Sequence, residues 1–146
     1  MLYYTGITRL AKNILQQVVG RYLDRDRPAM ATLKELCDVV PQVAGAMARK
    51  DLPAFGALID RVWQLNKRLD PGATSPDIDA LLARICPFAY GAKLLGAGGG
   101  GFLLIICRSP DHASRLRAAL EKEPPNPRAR FFGFDVSRQG LTVTVC

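Results

Sequence analysis

In the run Gly91-Ala92-Lys93-Leu94-Leu95-Gly96-Ala97-Gly98-Gly99-Gly100-Gly101-Phe102 the chain gives up side chains to present backbone. Five of its thirteen glycines fall between Gly96 and Gly101. Glycines take positive φ readily and can turn successive N–H groups toward one concavity, which binds an anion without a binding side chain. A phosphate is the guest such a cradle suits, with Gly96, Ala97, Gly98, Gly99, Gly100 and Gly101 as its walls and Lys93 as an added cation. Each glycine costs about 0.5–1 kcal/mol relative to alanine in a regular element. A hairpin turn needs only one or two of them, so a run of four implies that the loop touches something.

Gly96, Gly98 and Gly101 satisfy G-x-G-x-x-G, but a dinucleotide fingerprint must open a helix that meets the pyrophosphate. Here Phe102-Leu103-Leu104-Ile105-Ile106-Cys107 follows at once, six large or β-branched residues that make a strand. A P-loop is excluded because no Lys-Ser or Lys-Thr follows the glycines. A protein-kinase glycine loop does join two strands, yet the lysine strand, HRD-type loop and DFG metal site that go with it are missing.

The elements that must position the loop change character along the chain. Leu2-Tyr3-Tyr4 is β-prone. Apolar residues from Ile7 to Tyr22 then recur at helical spacing, predicting a helix capped by Thr5 and running to about Asp24. A second helix from Pro28 carries Leu33, Leu36, Val39, Val40, Val43 and Met47, with Pro41 expected to kink or divide it. A third covers about Leu52 to Leu69. Ser75-Pro76 caps and opens a fourth that ends near Cys86. Tyr90 to Leu95 and Phe102 to Cys107 read as strands around the glycine loop, and Pro110 to Lys122 as a helix. Pro124, Pro125 and Pro127 make a stiff connector, and Ala129 to Val136 and Leu141 to Val145 read as two further strands. The predicted fold is α+β: a helical layer on one face of a roughly four-stranded, mostly antiparallel sheet, in a single domain over residues 1–146.

Length and composition fit one core. The longest apolar run is far too short to span a membrane, and no signal-peptide pattern opens the chain, so no membrane partner is expected and the protein reads as cytoplasmic. The net charge of +7 suits an anionic partner, but the basic residues are dispersed, which argues for a solvated surface and against nucleic acid. Cys37, Cys86, Cys107 and Cys146 form no CxxC pair. They read as reduced thiols, three of them in or near the core, and no metal site is expected. His112 reads as an exposed bystander and Trp63 as a packing residue.

The segment GAKLLGAGGGGF resembles the third conserved motif of the GHMP kinases, the superfamily of galactokinase, homoserine kinase, mevalonate kinase and phosphomevalonate kinase. The whole chain is then similar to the C-terminal domain of such an enzyme, with its ferredoxin-like fold. Leu2-Tyr3-Tyr4-Thr5-Gly6-Ile7-Thr8-Arg9 and the segment from Trp63 through Asp70-Pro71-Gly72-Ala73-Thr74-Ser75-Pro76 resemble the branch that acts on fucose or heptose phosphates. The connector Glu123 to Phe132 favours the fucose branch.

The resemblance implies ATP and Mg2+ as cofactors and phosphorylation of an anomeric hydroxyl to a sugar 1-phosphate. The glycine loop would approach the nucleotide phosphates, and Thr8, Arg9 and Lys67 would line the sugar side. It also implies an N-terminal partner domain, because the serine-rich phosphate loop and catalytic acid of the family have no counterpart among isolated Ser75, Ser109, Ser114 and Ser137. On that reading no catalytic residue lies in this chain, and an apolar surface left by the missing partner would favour self-association. A non-catalytic, anion-binding regulatory module is the alternative from a different class.

Overall fold

The computed structural model describes residues 1–8, 12–96, 98–137, 139–140 and 143–144. The elements run β1 (Leu2–Tyr4), α1 (Lys12–Leu23), α2 (Arg27–Ala48), α3 (Leu52–Leu69), α4 (Pro76–Ile85), β2 (Ala89–Leu94), β3 (Phe102–Cys107), α5 (Pro110–Lys122) and β4 (Arg130–Phe132). Four helices start the same way, with an Asp or Ser side chain accepting a backbone N–H beside a proline in the first turn. The caps are Asp26 to Ala29, Asp51 to Ala54, Ser75 to Ile78 and Ser109 to His112.

The four strands form one antiparallel sheet in the order β2-β3-β1-β4. With helices between β1 and β2 and between β3 and β4, this is the split βαββαβ arrangement of ferredoxin-like folds. Its consequence for function is that β1 and β3 lie side by side at the centre. The turn after β1 and the loop before β3 therefore leave the sheet at the same end.

Alternation along the strands sends Tyr3, Ala92, Leu94, Leu103 and Ile105 to one face, where they meet Trp63 of α3, Ile78, Leu81 and Ile85 of α4, and Leu116 and Leu120 of α5. Burying each large side chain contributes roughly 1.5–3 kcal/mol. α2 packs on α3, which in turn lies against β2. There the contact is backbone on backbone. Gly56 of α3 faces Tyr90 and Gly91, and a Cβ on Gly91 would collide with the Gly56 carbonyl.

Several expectations change. Thr5 does not cap the first helix: residues 6–8 are not helical, and the buried Thr5 hydroxyl donates to the Gly101 carbonyl at 2.9 Å. Pro41 lies inside an undivided α2, where the Gln42 side chain donates to the Asp38 carbonyl nearby at 2.7 Å. The last strand is short, Arg130–Phe132. The expected strand Leu141 to Val145 falls partly outside the described residues, and Val143 and Thr144 are not in a strand. Cys37 and Cys86 are exposed and Cys107 is half-buried, since Cys37 falls off the buried stripe Thr32, Val39, Ala46 of α2; Cys146 lies outside the described residues. His112 is half-buried beside Phe88, its ring nitrogen 2.8 Å from the capping Ser109 hydroxyl. Trp63 is a core residue as expected.

The helix-on-strand contact gives the first test. Gly91→Ala should destabilise the fold by roughly 1–3 kcal/mol, the cost of overpacking a tight contact, read as a lower denaturant midpoint at unchanged slope.

Candidate functional site

The glycine loop, residues 95–101, closes the β2–β3 hairpin above a bond from the Leu95 amide to the Phe102 carbonyl at 2.8 Å. The backbone is left-handed at Gly96, Gly98, Gly99 and Gly101, with φ of 77°, 100°, 76° and 87°. Two amides are spent inside the protein. Gly99 donates to the Ala73 carbonyl at 2.6 Å and Gly101 to the Ile7 carbonyl at 2.9 Å. The Gly101 carbonyl in turn accepts both the Thr5 amide and the Thr5 hydroxyl, each at 2.9 Å.

The loop is thus wedged between two other segments, the turn after β1 and the 3₁₀ turn Pro71–Ala73 that follows α3. That second turn is held by Asp70, whose nearly buried carboxylate accepts the Gly72 amide at 2.7 Å. A Cβ on Gly98 would strike the Ala73 backbone, and one on Gly100 the Ile7 carbonyl. Part of the glycine requirement therefore comes from the loop's docking onto its own protein, which the sequence did not reveal. Gly96 and Gly101 face open space.

Among the described residues the amides of Gly96, Gly98 and Gly100 have no partner in the chain. They are the donors left for an incoming anion, Gly96 exposed, Gly98 half-buried and Gly100 buried, while the Gly99 and Gly101 amides are already tied down. Ala97 lies outside the described residues. Lys93 projects from β2 onto the sheet face opposite the helices, at the register of Leu104. It is half-buried, and among the described residues no acidic group pairs with it. Burial pushes its ammonium pKa down.

The residues expected on the sugar side do not share one cleft. Thr8 lies 3.4 Å from the Tyr4 hydroxyl and lines a cavity of about 510 Å³ with Arg84, Asn126 and Arg128. Lys67 lines a different cavity, of about 530 Å³, between α3, α4 and β2. There its ammonium sits 3.9 Å from the Asp79 carboxylate and 5.9 Å from the centre of the Trp63 ring. Asp79 also accepts the Thr74 hydroxyl at 2.9 Å, linking Lys67 indirectly to the turn that holds Gly99. Arg9 lies outside the described residues.

Sequence reasoning missed the residues that hold the loop, namely Thr5, Asp70 and Asn126. The Asn126 amide donates to the Thr5 carbonyl at 2.7 Å. A lone Asn set among three prolines was the available signal. No group of three or more His, Cys, Asp and Glu able to hold a metal occurs among the described residues.

Two outcomes follow from this geometry. Gly100→Ala should lower stability more than Gly96→Ala, because the latter meets only left-handed strain of about 1–2 kcal/mol while the former also meets the Ile7 carbonyl; unfolding midpoints of the two variants decide it. Lys93→Met should raise stability at neutral pH by removing a half-buried cation. With a folded-state pKa below the unfolded value, the penalty on the native protein is complete below the folded pKa and disappears as pH rises toward about 10.4, the pKa of an unfolded lysine. The difference in melting temperature between the two proteins should therefore narrow with alkaline pH.

The three joined segments, residues 5–8, 70–74 and 96–101, invite comparison with known proteins. A family model described as GHMP kinases C terminal matches residues 43–126, more than half of the chain. Over 144 residues the chain is 38% identical to the L-fucokinase/L-fucose-1-P guanylyltransferase of Bacteroides fragilis, a match covering 99% of this chain and 15% of that protein. It is 29% identical over 125 residues to the D-glycero-alpha-D-manno-heptose 7-phosphate kinase of Campylobacter jejuni, covering 84% of this chain and 36% of that one. The mevalonate kinase of L. major, solved with R-mevalonate, shares the fold at a TM-score of 0.70 and 22% identity, over 88% of this chain and 39% of that one. The chain spans well under half the length of each. The family model, which spans α3, α4, the glycine-loop hairpin and α5, places this chain in the GHMP kinase C-terminal family.

Proposed function

We propose that the chain is the C-terminal domain, over residues 1–146, of an ATP-dependent sugar kinase that phosphorylates the anomeric hydroxyl of L-fucose to the 1-phosphate. The observation that carries this reading is the meeting of three segments far apart in sequence around three unpartnered amides. The similarity to the Bacteroides fragilis protein points to the sugar. In phosphoryl transfer, catalysis is mostly positioning and charge stabilisation, so preorganised backbone donors beside the phosphates are what such a domain can contribute.

On this reading the amides of Gly96, Gly98 and Gly100 hold phosphate oxygens, and Lys93 adds positive charge from the neighbouring strand. Mg2+ arrives with ATP and supplies charge neutralisation on the phosphates. Thr8 lines the sugar side, and Arg9, outside the described residues, is assigned to the same substrate by the family resemblance of its segment. Lys67 supports the 3₁₀ turn through Asp79, a role its ion pair favours over direct sugar contact. An N-terminal kinase domain supplies the second wall of the cleft and the catalytic acid. Alone, the chain is inactive and binds nucleotide weakly. The exposed Leu15, Val19, Tyr22 and Leu23 of α1 give it a surface on which to self-associate.

No helix among the described residues is long and apolar enough to cross a membrane, in keeping with a cytoplasmic kinase. The heptose 7-phosphate reading draws on the Campylobacter jejuni relative and on Arg84 and Arg128 in the Thr8 cavity, which suit a phosphorylated substrate.

The deciding experiment joins this domain to its kinase N-terminal domain and measures ADP release with Mg-ATP. L-fucose should be turned over and heptose 7-phosphate should not. Turnover of the heptose phosphate alone would move the assignment to the second reading, and turnover of neither would end both.

A further inference from the structure

Asn126 lies 25 positions after the glycine loop and does not touch it. We infer that Asn126 is a positioning residue for the loop, acting through the turn after β1. The chain of contacts is continuous. The Asn126 amide nitrogen donates to the Thr5 carbonyl at 2.7 Å, and Thr5 gives its amide and hydroxyl to the Gly101 carbonyl. The Gly101 amide returns to the Ile7 carbonyl, and the Ile7 amide bonds the Thr5 hydroxyl at 3.2 Å. The whole circuit closes on two residues of one turn, Thr5 and Ile7.

Asn126 is built to be rigid. Its carboxamide oxygen accepts the Arg128 amide at 3.1 Å, and its own carbonyl accepts the Ala129 amide at 3.1 Å. Pro125 and Pro127 fix φ on either side of it, so holding the side chain in one place costs little further conformational entropy. Gly6 completes the fit. Its φ is 73°, and a Cβ there would collide with the Asn126 carboxamide. The connector between α5 and β4 and the turn after β1 are therefore shaped to each other.

The consequence is an asymmetric suspension of the loop. Its early half hangs from Ala73, whose turn is set by Asp70, and its late half from Ile7, whose turn is set by Asn126. The three unpartnered amides lie at the early end of the loop and between the two anchors. Loosening the late anchor lets Gly100 and Gly101 move without releasing Gly99.

The functional half of this inference rests on the kinase reading, and the structural half does not. Amide exchange is therefore measured on the 146-residue chain, and steady-state kinetics on the complete kinase. Asn126→Asp replaces the donor by an acceptor of the same shape, and Asn126→Ala removes both ends, carrying the test should the charged variant fail to fold.

In either variant, exchange at Gly101 should quicken roughly tenfold while Gly99 keeps its wild-type rate, the loss expected for one ordinary hydrogen bond. The KM for ATP should rise several-fold, a change that a smaller folded fraction cannot produce because it lowers only the apparent kcat. Unchanged Gly101 exchange, or equal quickening at Gly99, overturns the late anchor. Quickened Gly101 exchange with wild-type KM for ATP overturns its role in nucleotide positioning. A wild-type enzyme that transfers no phosphate ends the kinase reading, and the exchange rates then decide the anchor alone.

Discussion

Two carbonyl oxygens, those of Ile7 and Ala73, determine what the glycine loop can be. A backbone carbonyl reaches an amide at 2.6 or 2.9 Å only if nothing stands between the two chains, and a Cβ on Gly98 or Gly100 would stand there. The loop therefore has glycines where it docks and glycines where it is free, for different reasons. Docked on both sides, it is a fixed surface instead of a flexible hairpin tip. Preorganisation of this kind is what makes backbone donors useful to a reaction in which charge is redistributed over phosphate oxygens.

The rest of the fold serves that docking. The split βαββαβ order puts β1 beside β3, so Thr5 continues the pairing of Tyr4 with Phe102 and lands on Gly101. α3 is pressed onto β2 at Gly56 and Gly91, near the helix's start, and from its other end the 3₁₀ turn departs toward Gly99. Lys93 is half-buried with no counter-charge among the described residues, and its burial pushes the ammonium pKa down at a cost to the native state.

The helices and the central hairpin were legible because their signals are local: Ser75-Pro76 at a cap, apolar residues of α3 at helical spacing, and six large residues after the glycines. The reading of Thr5 failed for the same reason. A threonine before an amphipathic stretch looks like a cap, and only the pairing of β1 with β3 shows that its hydroxyl belongs to Gly101. Asp70 and Asn126 were invisible because their partners are turns brought near by topology. The two cavities separate Thr8 from Lys67, although both lie in segments that resemble the same family, because resemblance marks segments and the packing of α3 against α4 decides which cleft a side chain enters. The cysteines misled because burial preference is weak evidence for a residue lying off a helix's buried stripe.

The central claim is that, among the described residues, the glycines of the loop offer three amides and keep two. Hydrogen exchange at the five glycines, measured in the complete kinase with and without a non-hydrolysable ATP analogue and Mg2+, tests it most directly. The account expects Gly96 and Gly98 to exchange fast in the free protein, Gly96, Gly98 and Gly100 to become more protected when nucleotide binds, and Gly99 and Gly101 to be protected throughout. Protection of all five before nucleotide, or no change at Gly96, Gly98 and Gly100 after it, would contradict it.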